Sequence, residues 1–173
     1  MNDYRKQLAV VPQEVFLFSD TIRNNVAFGA LEPVSDEQII DALKQAKVWD
    51  NIKEFTNQLD TVLGELGVNL SGGQKQRISI ARALIRNPKL LLLDDCLSAV
   101  DTETEEGILQ ELSQLGANTS AVIVSHRIST LRNCQQIIVV DEGQIIETGT
   151  PDELFKNKGL YYQMYMQIGR AHV

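Results

Sequence analysis

Short, wholly apolar runs alternate along this chain with longer stretches whose apolar residues recur at helical spacing. The first run, Leu8–Val11, reads as a buried strand that Pro12 cuts off. Ser35 and Gln38 then have capping-box spacing, and Ile39, Ile40, Leu43 and Ala46 follow on one helical face, which predicts a helix over residues 36–47. A turn-rich stretch, residues 64–73, leads into a second helix with Ile78, Ala81, Leu84 and Ile85 on its apolar face, and Asn87-Pro88 stops it. Residues 20–86 are therefore expected to be mostly helical.

From Lys89 the pattern changes. LLLL at 90–93 is a short buried strand, Ile108, Leu109, Leu112 and Leu115 mark an amphipathic helix, and AVIV at 121–124 is another strand. Strand, helix and strand in that order predict a right-handed crossover and a parallel sheet. Residues 136–140 and 144–147, joined through Asp141-Glu142-Gly143, predict a hairpin at the edge of that sheet. Thr150-Pro151-Asp152-Glu153 caps a short final helix with proline at its first position. No internal repeat or low-complexity segment interrupts this α/β pattern.

Composition narrows the classes. The 173 residues, 43% apolar and 23% charged, suit one globular domain or most of one. A net charge of −7 with scattered Lys and Arg offers no basic stripe for a phosphate backbone, so nucleic acid is not an expected partner. The apolar runs fall far short of the roughly 20 residues that cross a bilayer. No signal peptide opens the sequence, so the expected site of action is cytosolic. Cys96 and Cys134 lack metal-ligand spacing and read as reduced packing residues. Both ends invite an expectation. Leu8–Val11 has little before it to pack against, which suggests that Met1 is internal to a longer protein. IGRAHV at 168–173, including His172, resembles translated sequencing-adapter sequence and reads as a non-native tail.

Chemistry concentrates at three places. Asp94-Asp95 follow the LLLL run at the C-terminal end of a strand, the edge where open α/β sheets bind ligands, and carboxylates there suit Mg²⁺. Taken alone, the pair fits a solvated turn equally well. Ser125-His126 follows the next parallel strand, so a histidine able to donate a hydrogen bond to a terminal phosphate is expected at the same edge. The third place is LSGGQKQR at 70–77, where Ser71, Gly72, Gly73 and Gln74 open a helix. Backbone N–H groups and the positive end of the helix dipole converge there, and glycines let an anion approach. A capping box accounts for Ser71 and Gln74. It leaves unexplained two first-turn glycines that each weaken a helix by about 1 kcal/mol relative to Ala, and an anion site explains all four residues.

These residues together resemble the ABC ATPases. LSGGQKQR matches the family's signature motif and LLLLDD its Walker B motif. Ser98-Ala99-Val100-Asp101 is similar to the D-loop, His126 to the switch histidine, and Gln13 in VVPQEVFLF to the Q-loop glutamine. FLFSDTIRNNVAFG and TVLGELG resemble the exporter subclass, the latter its X-loop. The resemblance covers nearly the whole chain. It implies a P-loop NTPase-like parallel core with a helical subdomain, truncated at its N-terminus. Residues 1–19 would carry the Q-loop strand, 20–86 the helical subdomain with the signature, and 87–167 the rest of the core.

The resemblance further implies that two such domains sandwich two ATP molecules head to tail, in a homodimer or a heterodimer. Asp94 would hold Mg²⁺ through water, Asp95 orient the attacking water, and His126 contact the γ-phosphate. Gln13 would help coordinate the metal and respond to a transmembrane domain. Ser71 and Gly73 would reach across to the γ-phosphate of the partner's ATP, and Gly72, Gln74 and Asp101 of the D-loop would complete the nucleotide-binding set. The implied place is the cytoplasmic face of the plasma membrane, the inner membrane in a bacterium, with attachment through a transmembrane domain. Two departures stand out. The chain has no G-x-x-x-x-G-K-[ST], so the phosphate-cradling loop is missing. Asp95 stands where the family usually has Glu, one methylene longer, and a displacement of about 1 Å can cost on the order of 10²-fold in rate. Asp95 thus keeps open a regulatory half that binds ATP without turning it over. A soluble ABC ATPase is a further alternative, against which the exporter-like stretches count.

Overall fold

A computed structural model describes residues 2–64, 68–115 and 118–170 and divides the chain into two compact units, 1–124 and 125–173. The first contains α1 (Asn2–Lys6), β1 (Leu8–Val11), α2 (Ile22–Ala27), α3 (Asp36–Gln45), α4 (Trp49–Ile52), α5 (Gly72–Leu84), β2 (Leu90–Asp94), α6 (Thr102–Ser113) and β3 (Ser120–Val124). The second contains α7 (Ile128–Leu131), β4 (Ile137–Asp141), β5 (Gln144–Gly149), α8 (Pro151–Asn157) and α9 (Leu160–Arg170).

β1, β2 and β3 form a parallel sheet with β2 in the centre; the crossover pattern predicts the parallel pairing of β2 with β3, and the structure adds β1 on the other side of β2. Val11 pairs with Leu93 and Leu93 with Ile123, so the odd-numbered positions of all three strands share one face. That face is core: Ala9, Val11, Leu91 and Leu93 join a cluster with Ile78, Ala81 and Leu84 of α5, Leu43 of α3 and Ile108 of α6. The even-numbered face is open. Val10, Val122 and Val124 are 52%, 50% and 57% exposed. The expectation of buried strands therefore holds for one face only. Apolar runs of this kind suit a sheet covered on both sides, and the helices of this unit cover a single side.

Local signals set the helix boundaries. The side chain of Ser35 accepts from the Gln38 amide, and the Gln38 side chain accepts from the Ser35 amide at 2.9 Å, so the predicted capping box forms. The helix stops two residues earlier than expected because Lys47 takes a left-handed conformation, φ +53°. The Lys47 amide then bonds the Lys44 carbonyl and the Val48 amide the Leu43 carbonyl, a Schellman closure with Val48 buried behind it.

In the second unit β4 and β5 pair antiparallel through a two-residue turn with Glu142 at φ +45° and Gly143 at φ +77°. They form a two-stranded sheet of their own rather than the expected edge of the parallel sheet, because a hairpin satisfies its facing backbone groups locally. Thr150 and Glu153 make the predicted capping box ahead of Pro151, and the single expected final helix is two, broken at Lys158, φ +54°. Ile128, Ile137, Leu154 and Tyr161 make the small core of this unit. The backbone of residues 168–170 continues α9 into the expected tail, whereas 171–173, with His172, lie outside the described residues.

Candidate nucleotide site

The sheet register positions the first group of candidate residues. Because Val11 and Leu93 are partners, two steps beyond each carry Gln13 and Asp95 forward together, and the Gln13 side-chain amide donates to an Asp95 carboxylate oxygen at 3.4 Å. Asp94, the last residue of β2, is exposed. Asp95 is left-handed, φ +43°, a conformation that Asp tolerates better than most residues. Its peptide is gripped at both ends. The amide donates to the Val124 carbonyl at 2.9 Å, and the carbonyl accepts from the Ser98 hydroxyl at 3.0 Å.

Among the described residues no group of three His, Cys, Asp or Glu side chains could hold a metal unaided. An exposed carboxylate beside a second one nonetheless fits Mg²⁺, which is bound through one or two carboxylates and takes its other ligands from water and phosphate. Cys96, directly after the pair, is buried. Burial first, then the Asp95 and Asp94 charges, push its thiol up to about 12, so it is a packing residue with no thiolate at neutral pH.

The second group is the N-terminus of α5. The Ser71 hydroxyl accepts from the Gln74 amide, and the Gln74 side chain accepts from the Ser71 amide at 2.9 Å. Accepting through Oγ leaves the hydroxyl proton for an outside acceptor, and Ser71 and Gly72 are exposed. Helix geometry also leaves the amides of Gly72 and Gly73 without intrahelical partners. The turn thus has the donors an anion site needs. The glycines divide: a Cβ on Gly73 would lie 2.8 Å from the Ala99 carbonyl oxygen, so this position must be glycine for packing. A Cβ on Gly72 would make only ordinary contact, 3.6 Å from the Ala99 methyl, so the case for anion approach rests on Gly72.

Asp101 caps α6, accepting from the Thr104 amide at 2.9 Å. That bond first, and more weakly the Arg77 charge, hold its carboxyl below the usual range. Arg77 donates to the Gly73 carbonyl at 3.2 Å and also to the Lys47 carbonyl, tying the signature turn to the end of α3. His126 is exposed, two residues beyond β3, and belongs to the second unit. Of the X-loop, Thr61 to Gly64 are described, with Leu63 bonded to Asp20, and 65–67 lie outside the described residues.

Several supporting residues escaped the sequence reading. Arg82 of α5 donates at 2.7 Å to both the carbonyl and the side chain of buried Asn25, and at 2.8 Å to the Phe16 carbonyl. It thereby fastens the segment after Gln13 to the signature helix, while Phe18 and Phe28 pack against its guanidinium. Asn25 donates in turn to the carbonyls of Phe18 and Thr21. Gln76, at 7% exposure, bonds the Ala99 amide. The sequence offers a hint only for Arg82, which falls four residues beyond Ile78 on the apolar face of α5; Gln76 lies off that face.

A parallel sheet with carboxylates at its C-terminal edge, and a glycine-opened helix in the same unit, define an α/β fold whose polar edge lies where such sheets bind ligands. A family model described as ABC transporter matches residues 1–98. The chain is 45% identical over 165 residues to an ATP-dependent lipid A-core flippase of Alcanivorax borkumensis, covering 95% of this chain and 28% of the relative. It is 46% identical over 167 residues to the ATP-dependent lipid A-core flippase of Escherichia coli K12, covering 96% and 29%. A solved structure of a bacterial Atm1-family ABC exporter with ATP bound superposes with a TM-score of 0.88 at 39% identity, covering 94% of this chain and 29% of that one. The chain belongs to the ABC transporter family, and it spans less than a third of the length of these relatives.

Proposed function

We propose that this chain is the C-terminal part of an ATP-binding domain that hydrolyses ATP to drive export across a membrane. The observation that carries the proposal is the N-terminus of α5. An exposed Ser71 hydroxyl and the first-turn amides of Gly72 and Gly73 converge on a surface that another molecule can reach, and among the described residues no group uses the Ser71 proton. Those donors suit the γ-phosphate of a nucleotide held by a second ATP-binding domain. Gln74 serves by holding Ser71 in place, and Asp101 by starting α6 beside Arg77.

The carboxylate edge serves the chain's own nucleotide. Asp94 would hold Mg²⁺, Asp95 would orient the attacking water, and Gln13, bonded to Asp95, would share the metal and respond to the transmembrane domain. His126 donates a hydrogen bond to the γ-phosphate. When bound, Mg²⁺ neutralises charge on the transferring phosphoryl group, so the protein's work is positioning and electrostatic stabilisation. The phosphate-cradling loop and the membrane-spanning helices belong to other parts of the intact transporter. Among the described residues no helix is long and apolar enough to cross a membrane, and the domain acts at the cytoplasmic face through the membrane domain. Residues 1–19, 20–86 and 87–167 make up the Q-loop strand region, the helical subdomain and the remaining core, and 168–173 a non-native tail.

The test is Ser71→Arg in the intact transporter. Bulk and charge at that turn should nearly abolish steady-state ATP turnover while the thermal midpoint of the protein stays unchanged. Wild-type turnover in this variant would overturn the trans role of the turn.

A further inference from the structure

The segment between Asp95 and Asp101 is held at two ends by different parts of the domain. At its start the Asp95 carbonyl accepts from the Ser98 hydroxyl at 3.0 Å, and buried Cys96 and Leu97 anchor the turn in the core. Further along, Ala99 is seated on the signature turn. Its amide donates to the Gln76 side chain at 3.1 Å across 23 residues of sequence, and its carbonyl fills the space where a Gly73 side chain would begin. Val100, at 4% exposure, closes the segment into the core before Asp101 starts α6.

Gln76 is therefore unlike its neighbours in the signature. Ser71 and Gln74 satisfy each other within the first turn, and Arg77 reaches back to Gly73 and Lys47. Among these described residues it is the Gln76 side chain that bonds the segment leading back to Asp95. At 7% exposure it is shielded from solvent and serves as an internal tie. A side-chain acceptor shielded in this way holds its donor in a defined place, and losing it leaves the exposed Ala99 backbone free to shift.

We infer that Gln76 is a positioning residue for ATP hydrolysis: through the Ala99 amide it sets the placement of the 95–101 segment, and with it the Asp95 peptide, against the signature turn. This rests on the roles proposed above for Asp95 and the turn. One side chain then links the residue that orients water for the chain's own nucleotide to the donors that serve the partner's. Gln76 touches neither nucleotide, so its loss should act on the rate of turnover and leave nucleotide affinity alone.

The experiment compares Gln76→Leu, Gln76→Asn and Gln76→Glu in the intact transporter, reading kcat, KM for Mg·ATP, thermal midpoint and hydrogen exchange at the Ala99 amide. Leu offers no acceptor and Asn falls one methylene short, so both should lower kcat by about tenfold, the effect of losing one hydrogen bond, with KM unchanged and faster exchange at Ala99. Glu keeps an oxygen at the same reach and should retain most of the wild-type kcat. Wild-type kcat in Gln76→Leu or, should that variant not fold, in Gln76→Asn would overturn the inference. So would a loss in Gln76→Glu equal to that in Gln76→Leu and matched by a fall in thermal midpoint, the pattern of a merely structural residue. Ser71→Arg in the same assay separates the two ideas. If it stops turnover while the Gln76 variants do not change it, the positioning role fails alone. If it also leaves turnover intact, the role proposed for the signature turn fails with it.

Discussion

At the N-terminus of α5 and at the C-terminal end of β2 the same unit presents two polar surfaces, and they are built differently. Around Ser71 the side chains of Ser71, Gln74, Gln76 and Arg77 are each tied to backbone groups, all but two of those ties lying within the turn itself. Around Asp94 one carboxylate is exposed, and the other is met by a Gln13 amide at the long distance of 3.4 Å. The signature turn is finished by residues three or four apart, so it stands as a preorganised donor surface. The carboxylate edge is one wall, since its parts meet only because separate strands run in register. This suits the proposed division of labour. The turn presents a rigid face to a nucleotide held elsewhere, while the edge takes its remaining ligands from Mg²⁺, water and phosphate.

The sharpest way to probe the contrast is at Asp95. Asp95→Asn keeps the side-chain length and tolerates the left-handed backbone, but it loses the charge. In the intact transporter turnover should fall by on the order of 10²-fold or more, the usual contribution of a positioned proton acceptor, with little change in thermal midpoint. An unaltered rate would remove Asp95 from the mechanism. Asp95→Glu tests the opposite property, because its extra reach comes with a residue less at ease at φ +43°. It should lower the thermal midpoint relative to Asp95→Asn.

On the signature side the vulnerable atom is a missing one. Gly73→Ala puts a methyl 2.8 Å from the Ala99 carbonyl oxygen, too close for either backbone to ignore. Overpacking of this kind costs about 1–3 kcal/mol, so chemical denaturation should show a clear loss of stability. Gly72→Ala should be close to neutral in stability, because its methyl finds only the Ala99 methyl at 3.6 Å. Equal losses in the two variants would mean that the turn is not seated on Ala99.

The smallest effect belongs to Asp101. Its carboxyl is depressed in the folded state, chiefly by the Thr104 amide, so its ionised form contributes stability that is present above the unfolded value of about 3.9 and lost as pH falls through the lower folded value. Asp101→Asn keeps a capping oxygen without the charge. Denaturation curves should show wild type slightly the more stable at neutral pH, with the two converging as pH drops below about 4. A gap that persists in acid would assign the effect to geometry.

What the sequence by itself determined is local. The capping boxes at Ser35, Ser71 and Thr150, and the Glu142-Gly143 turn, were all legible because each is closed by groups within a few residues of one another. The parallel pairing of β2 with β3 was nearly as legible, since two apolar runs and the helix between them leave few topologies, whereas the place of β1 beside β2 was not. The candidate residues were found by motif, and motif says nothing about what fastens them. Gln76 to Ala99, Arg82 to Asn25 and Gln13 to Asp95 join residues 23, 57 and 82 apart, and no pattern in a single sequence marks such pairs. The same holds for Gly73, which reads as room for an anion until Ala99 is found against it. It holds as well for the open face of the sheet, because LAVV and LLLL state that a strand is apolar and not which side is covered. Hydrogen bonds that close over one helical turn are written in the order of residues; those that close across the fold exist only once packing has brought their partners within about 3 Å.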